Sequence, residues 1–143
     1  GLKLCGIKIE YNKLIGHSDA DVGIHAICDS IFGALSMKDI GYYFSNNSPK
    51  WRNKNSVHFL KFARDNLVKN NYYIVNLDIN FICEQPNINK HRSKMIKNLS
   101  SILKVPEKII SIKATSNEKI GFIGDGLGIA AESIVQISNE KTY

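Results

Sequence analysis

From Tyr73 to Cys83 every second residue is apolar or aromatic: Tyr73, Val75, Leu77, Ile79, Phe81 and Cys83. Side chains of an extended strand alternate between faces, so this run buries one side only. A chain that contains it must build a sheet with one covered face and must supply the apolar cover. Helical spacing elsewhere supplies that cover. Val22, Ala26, Ile27, Ile31 and Leu35 predict a helix over 21–35. Ser18, with Asp21 three residues on, has the form of a capping box, which starts this helix near Ser18. Val57, Leu60, Ala63, Leu67 and Val68 predict a second helix capped by Ser56, and Met95, Ile96, Leu99, Ile102 and Leu103 a third. Residues 4–9, 110–114 and 129–137 read as further strands, the last preceded by a turn holding Gly121, Gly124, Gly126 and Gly128. Residues 39–55 are rich in Gly, Ser, Asn, Pro and Lys and read as a long loop. The order is strand, helix, helix, strand, helix, strand, strand. It predicts an α+β fold, a small sheet with helices packed on one face, in a single domain spanning 1–143.

Composition narrows the class. The 143 residues are 43% hydrophobic and 22% charged, as expected of a globular chain able to bury a core. No run of apolar residues is long enough to cross a membrane as a helix. Cys5, Cys28 and Cys83 lie far apart with no CxxC pair, which argues against a zinc ribbon or a disulfide framework and for a reducing compartment. The net charge of +6 points to an anionic partner, nucleic acid or a phosphorylated small molecule. AT-rich coding DNA is the favoured explanation: Lys far outnumbers Arg, Ile and Asn are frequent, and the lysines form no stripe. The chain starts at Gly1 without an initiator Met or signal peptide, so the expectation is a processed or trimmed piece of a longer product.

The densest chemistry lies in GHSDADVGIHAICD, residues 16–29. Asp21, His25 and Asp29 are spaced by four and share one helical stripe, near a helix N-terminus whose N–H groups favour phosphate. Singly, Ser18, Asp19 and Asp21 are caps and His25 a buried, satisfied histidine. Together they suggest a metal and phosphate site, because such a stripe is hard to bury without a partner. One histidine does not hold zinc alone, since a catalytic zinc takes about three protein ligands. In KATSNEKIGF, residues 113–122, Thr115 and Ser116 end a strand and Glu118 is two residues further on. Hydroxyls and N–H groups at a strand end suit a phosphate, and a carboxylate beside phosphates suits Mg²⁺. An ordinary polar turn has the same composition.

These blocks, with DIGYYF (39–44) and GLGIAAE (126–132), resemble the 2-C-methyl-D-erythritol 2,4-cyclodiphosphate synthase family over nearly the whole chain. The resemblance implies a reaction of the non-mevalonate isoprenoid pathway. The 2-phosphate of 4-diphosphocytidyl-2-C-methyl-D-erythritol 2-phosphate attacks the β-phosphorus, CMP leaves, and a cyclic diphosphate forms. It implies a homotrimer with active sites at subunit interfaces, a Zn²⁺ on the β-phosphate and a Mg²⁺ or Mn²⁺ bridging the phosphates. It implies a small-molecule cytidine diphosphate substrate, with neither nucleic acid nor membrane as partner.

Carried onto this sequence, the resemblance gives His25 as a zinc ligand and Glu118 as the divalent-cation ligand. His17 and Ser116 become the catalytic charge stabilisers, and Ser18 contacts the reacting phosphates. Asp39, Ile40 and Gly41 hold the methylerythritol, beneath a flexible loop of Phe44, Ser45, Asn46, Asn47 and Ser48. Cys83, Glu84, Gln85, Pro86, Asn87, Ile88 and Asn89 form the cytosine-recognition loop. Thr115 and Ser116 clamp the diphosphate, and Phe122 lies next to the cation.

The sequence also departs from the family. An Asp-x-His pair on the first strand supplies two further zinc ligands in the family and occurs nowhere here, so either this strand precedes Gly1, which is the expectation, or the zinc site is broken. Ser45 replaces a usual Pro, Ser116 a Thr, and Asn87 a common Lys. Asp125 and Leu127 replace an Arg and a Glu that line the trimer axis in many members, where some hold an isoprenoid diphosphate that a ring of Asp would repel. A basic nucleic-acid-binding α+β domain is the reading from another class, with Tyr72, Tyr73 and Phe81 as its only aromatic candidates. An inactive homologue, or a fragment of a bifunctional enzyme that also makes the cytidylyl precursor, is a third. Pathway and composition together suggest the stroma of a plastid-type organelle, an apicoplast, with a bacterial cytoplasm as the alternative.

Overall fold

Three strands make the main sheet, in the order β4 (Ile110–Thr115), β3 (Tyr73–Ile82), β5 (Ala130–Ser138). The computed structural model describes residues 1–11, 20–45, 47, 49–51 and 54–143. In chain order the remaining elements are β1 (Leu2–Leu4), β2 (Ile7–Ile9), α1 (Val22–Ala34), α2 (Ile40–Tyr43), α3 (Val57–Lys69), α4 (Arg92–Leu103) and α5 (Gly121–Gly124). Short 3₁₀ turns occupy Pro49–Trp51, Ile88–Lys90 and Glu107–Ile109. β4 runs parallel to β3, which requires a crossover, and α4 provides it; β5 is antiparallel to β3.

One face of the sheet is covered, as the alternation predicts. Leu77, Ile79, Phe81, Ile110 and Ile112 are buried there, under α1 and α4. These helices present Ile24, Ile27, Ile31, Met95 and Leu99, all fully buried, and α3 packs on both. Each such side chain contributes about 1.5–3 kcal/mol relative to exposure, so this layer dominates the stability. Among the described residues no helix packs on the other face. Across it Asn80 lies between Lys113 and Glu132, and Asp78 between Ser111 and Ile134. The arrangement is α+β with helices on one face of a small sheet, as expected, with a separate two-stranded sheet added.

Several local expectations change. Residues 4–9 form a hairpin with β1, not one strand: Leu4 pairs with Ile7 across Cys5 and Gly6. Both turn residues have positive φ, 52° and 79°, the conformation that tight two-residue hairpins require. Asp21, not Ser18, caps α1, its carboxylate accepting the Ile24 N–H; Ser18 lies outside the described residues. Ser56 stands at the N-cap of α3 as expected, with helical φ −57° and ψ −21°, but its side chain makes no capping bond; Asn55 Oδ1 accepts the Val57 N–H at 3.0 Å instead. The loop at 39–55 contains α2, and the glycine-rich turn contains α5.

The alternation of β3 holds from Leu77 to Phe81 and breaks before it. A register shift between Ile74 and Asn76 inserts Val75 as an extra residue, so Ile74 is buried while Tyr73 is exposed. Gly23 is required by close approach. A Cβ there would lie 2.8 Å from Cys5 Sγ and 2.9 Å from Phe81 Cζ, so only glycine lets α1 pass between the hairpin and the sheet.

Candidate active site

The stripe on α1 separates into distinct roles. Asp21 is fully buried and its carboxylate accepts three main-chain N–H groups: Cys5 at 2.9 Å, Gly6 at 2.7 Å and Ile24 at 3.0 Å. That makes it a clamp on the hairpin, not a metal ligand. Asp29, one turn beyond His25, accepts the Ile40 N–H at 2.8 Å and so fixes where α2 begins. The periodicity puts Asp29 beside His25; the structure assigns it to holding the Asp39–Gly41 segment. His25 is half-buried between, with Nε2 3.4 Å from Ser56 Oγ and its ring 5.9 Å from that of Phe59. His17 and Ser18 lie outside the described residues.

Asp39 is exposed and caps α2 through Oδ1, which accepts the Tyr42 N–H at 3.0 Å. One carboxylate oxygen is thereby engaged. Ile40 is half-buried and Gly41 exposed. Phe44 is not part of a free loop: it is buried, with its ring 4.4 Å from that of Phe59 and 5.0 Å from that of Phe62. A buried ring anchors the segment and leaves ligand contact to the residues beyond it. There Ser45 is exposed and accepts the Asn47 N–H at 3.2 Å; Asn46 and Ser48 lie outside the described residues.

A second group forms at the ends of β3 and β4. The Cys83 N–H donates to Thr115 O at 3.1 Å, which extends the ladder and sets residues 84–89 beside 115–119. Cys83, Pro86 and Ile88 are buried, so their side chains support the loop from within; burial pushes the Cys83 thiol up, and the Glu84 charge adds to this. Asn87 accepts the Asn89 N–H at 3.1 Å, and Asn89 Oδ1 accepts from Arg92 Nη2 at 2.7 Å. Gln85, Asn87 and Asn89 are the exposed members.

Glu84, expected among the substrate contacts, is engaged inside the protein. Its two oxygens accept the N–H groups of Asn117 and Lys119, each at 2.9 Å. Sequence reasoning could not see this pairing, which spans 33 and 35 residues. Thr115, Ser116 and Glu118 are exposed, and Ser116 Oγ accepts the Glu118 N–H at 3.3 Å. Phe122 is 65% exposed, its ring lying where a Cβ on Gly128 would stand.

The two expected metals fare differently against this geometry. A magnesium-type ion bound to phosphates needs about one or two carboxylates, and exposed Glu118 beside the Thr115 and Ser116 hydroxyls fits. Zinc needs about three protein ligands. Among the described residues no group of three His, Cys, Asp or Glu side chains surrounds His25 or any other point, so these residues by themselves do not fit it.

Known proteins are similar to this chain over most of its length. A 2-C-methyl-D-erythritol 2,4-cyclodiphosphate synthase of Ehrlichia canis is 44% identical over 135 residues, 94% of this chain and 78% of that protein. A bifunctional enzyme IspD/IspF of Caulobacter vibrioides is also 44% identical over 135 residues, and this chain spans only 35% of its length. Among solved structures, the CDP complex of IspF from Plasmodium falciparum matches with a TM-score of 0.84 and 40% identity, over 95% of this chain and 81% of that one. The bifunctional IspDF of Campylobacter jejuni matches with a TM-score of 0.91 and 35% identity, over 95% of this chain and 37% of that one. The model of the YgbB family covers residues 1–138, from the first hairpin through the last strand, and the chain belongs to that family.

Proposed function

We propose that the chain converts 4-diphosphocytidyl-2-C-methyl-D-erythritol 2-phosphate to 2-C-methyl-D-erythritol 2,4-cyclodiphosphate and CMP. The observation that carries this is the 44% identity to the Ehrlichia canis synthase across nearly all of this chain. In the reaction an oxygen of the 2-phosphate forms a bond to the β-phosphorus, and the bond from that phosphorus to the oxygen of CMP breaks. No proton need be removed from the nucleophile, which is already an anion. Catalysis is then alignment plus stabilisation of charge on the transferring phosphoryl group.

Each segment has a part in that alignment. Asp39, Ile40 and Gly41, set by Asp29, receive the methylerythritol. Exposed Gln85, Asn87 and Asn89, with the main chain between them, receive the cytosine. Thr115 and Ser116 present hydroxyls to the diphosphate, Ser116 where charge develops, and His17 is its counterpart. Glu118 holds a Mg²⁺ or Mn²⁺, which supplies charge neutralisation when bound. His25 is proposed as a zinc ligand, and no step is derived through that ion.

We also propose a homotrimer with the sites between subunits. Support comes from exposed apolar residues on the open sheet face and the α5 turn: Ile134 is 74% exposed, Leu127 76% and Phe122 65%. A second chain would cover such surface. The reading as a nucleic-acid-binding sheet is less favoured, because Asp78 and Glu132 stand on that face with Lys113. As for location, the bacterial cytoplasm is preferred over the organelle, since the Ehrlichia and Caulobacter relatives are bacterial. Incubating the purified protein with the substrate and Mg²⁺, and following CMP and cyclic diphosphate by phosphorus resonance, tests the activity. Absence of both products overturns it.

A further inference from the structure

We propose that Glu84 is a positioning residue that holds the Ser116–Lys119 turn in the shape that presents Glu118 to the divalent cation, so that the base-recognition loop and the cation site share one anchor. The inference rests on the function proposed above and assigns to Glu84 a role other than substrate contact.

The turn has an unusual backbone. Glu118 and Lys119 both have positive φ, 53° and 59°, although neither is glycine. A side chain in this left-handed region is disfavoured, and two in succession persist only when the surroundings impose them. The imposing contacts are on either side of Glu118. Glu84 Oε2 accepts the Asn117 N–H and Oε1 the Lys119 N–H, both at 2.9 Å. The N–H between them, of Glu118 itself, donates to Ser116 Oγ at 3.3 Å. Three successive N–H groups thus find acceptors within this small assembly. Asn117 closes the far side, its Nδ2 donating to Ile120 O at 2.7 Å and its carbonyl accepting the Ile120 N–H at 2.9 Å.

The origin of the carboxylate matters as much as its contacts. Glu84 comes directly after Cys83, whose N–H bonds Thr115 O, so its backbone is fixed by the ladder. It also opens the segment leading to Gln85, Asn87 and Asn89. A displacement of that segment by a bound base would be passed, through one side chain, to the turn bearing Glu118. Charge reinforces the design: a carboxylate accepting two N–H groups is a stronger tether than a neutral acceptor.

Titration of the protein with Mn²⁺ in the presence of CDP, followed by electron paramagnetic resonance, reads the turn directly and without turnover. Glu84→Ala removes both acceptors and is expected to weaken Mn²⁺ binding about tenfold or more, approaching Glu118→Gln. Glu84→Gln keeps one acceptor and is expected to recover part of the loss. Thermal unfolding of the Gln variant should stay near that of wild type, which separates positioning from folding. If the Ala variant does not fold, the Gln variant carries the test, with an expected loss of roughly threefold. Wild-type affinity for Mn²⁺ in both variants overturns the inference. So does Mn²⁺ binding that is insensitive to Glu118→Gln. Wild type that binds Mn²⁺ and CDP with this pattern but makes no cyclic product supports the inference about Glu84 while overturning the proposed activity.

Discussion

Asp21 and Cys5 are 16 residues apart in the chain, yet the Asp21 carboxylate accepts the Cys5 N–H at 2.9 Å in a fully buried setting. The same carboxylate serves Gly6 and caps α1, so one side chain joins hairpin, helix start and core. Asp21→Ala should destabilise the protein by about 3 kcal/mol or more, since it strands buried donors as well as losing a cap. Asp21→Asn, which keeps one acceptor oxygen, should cost roughly half. Urea unfolding of the three proteins measures this, and a loss under about 1 kcal/mol for Ala would refute the clamp.

Burial lifts the thiols of Cys5 and Cys28 well above their ordinary value of 9.0, with the charge of Asp21 adding to Cys5 and those of Asp29 and Asp21 to Cys28. The folded state therefore keeps both protonated where the unfolded chain ionises. That contribution is complete below about pH 9 and is lost as the pH rises toward the folded values. By pH 10 the stability lost is on the order of 1 kcal/mol per thiol. Unfolding free energies of wild type and Cys28→Ala between pH 8 and 10 should show the shallower slope in the variant. Equal slopes would show that the Cys28 thiol does not drive the decline.

His25→Ala tests the zinc proposal. Loss of bound zinc, read by metal analysis of protein purified without chelator, is the result this proposal requires. Unchanged zinc content removes His25 from the ligand set.

Ile134 stands 74% exposed on the open sheet face. If that face is the trimer interface, Ile134→Lys places three cations near one axis and should shift the sedimentation coefficient from trimer to monomer. A fully active wild-type monomer would end the trimer proposal. In the trimer, exposed Asp125 at the end of α5 should make farnesyl diphosphate bind weakly. Calorimetry showing binding gained in Asp125→Arg supports this; tight binding retained in Asp125→Ala opposes it.

Legibility in the sequence divides along a physical line. Patterns carried by apolar periodicity, such as Val22 to Leu35 and Leu77 to Phe81, emerge as elements because burial acts on each residue separately. Roles set by hydrogen bonds between distant segments do not show in a string. Asp21, Asp29 and Glu84 all look like groups for a ligand, and all three are occupied by main-chain N–H groups. A cap at Ser18 is attractive because Ser and Asp at that spacing suit a capping box, while Asp21 itself does the capping. The Cys5–Gly6 turn leaves one legible trace, a glycine between two short apolar runs, too little to split the strand.

The extra residue at Val75 has a consequence for how the protein can change. It shifts the phase of β3, so its two ends answer to different neighbours: Ile74 to the core beneath β5, and Leu77 through Phe81 to the ladder that ends at Cys83. An insertion or deletion before Asn76 can be absorbed by reshaping this kink, whereas one after it would turn Leu77, Ile79 and Phe81 toward solvent together. The strand therefore keeps a tolerant end and an intolerant one. Drift in length can accumulate at Tyr73 while the end that bears Cys83 and Glu84 holds its place.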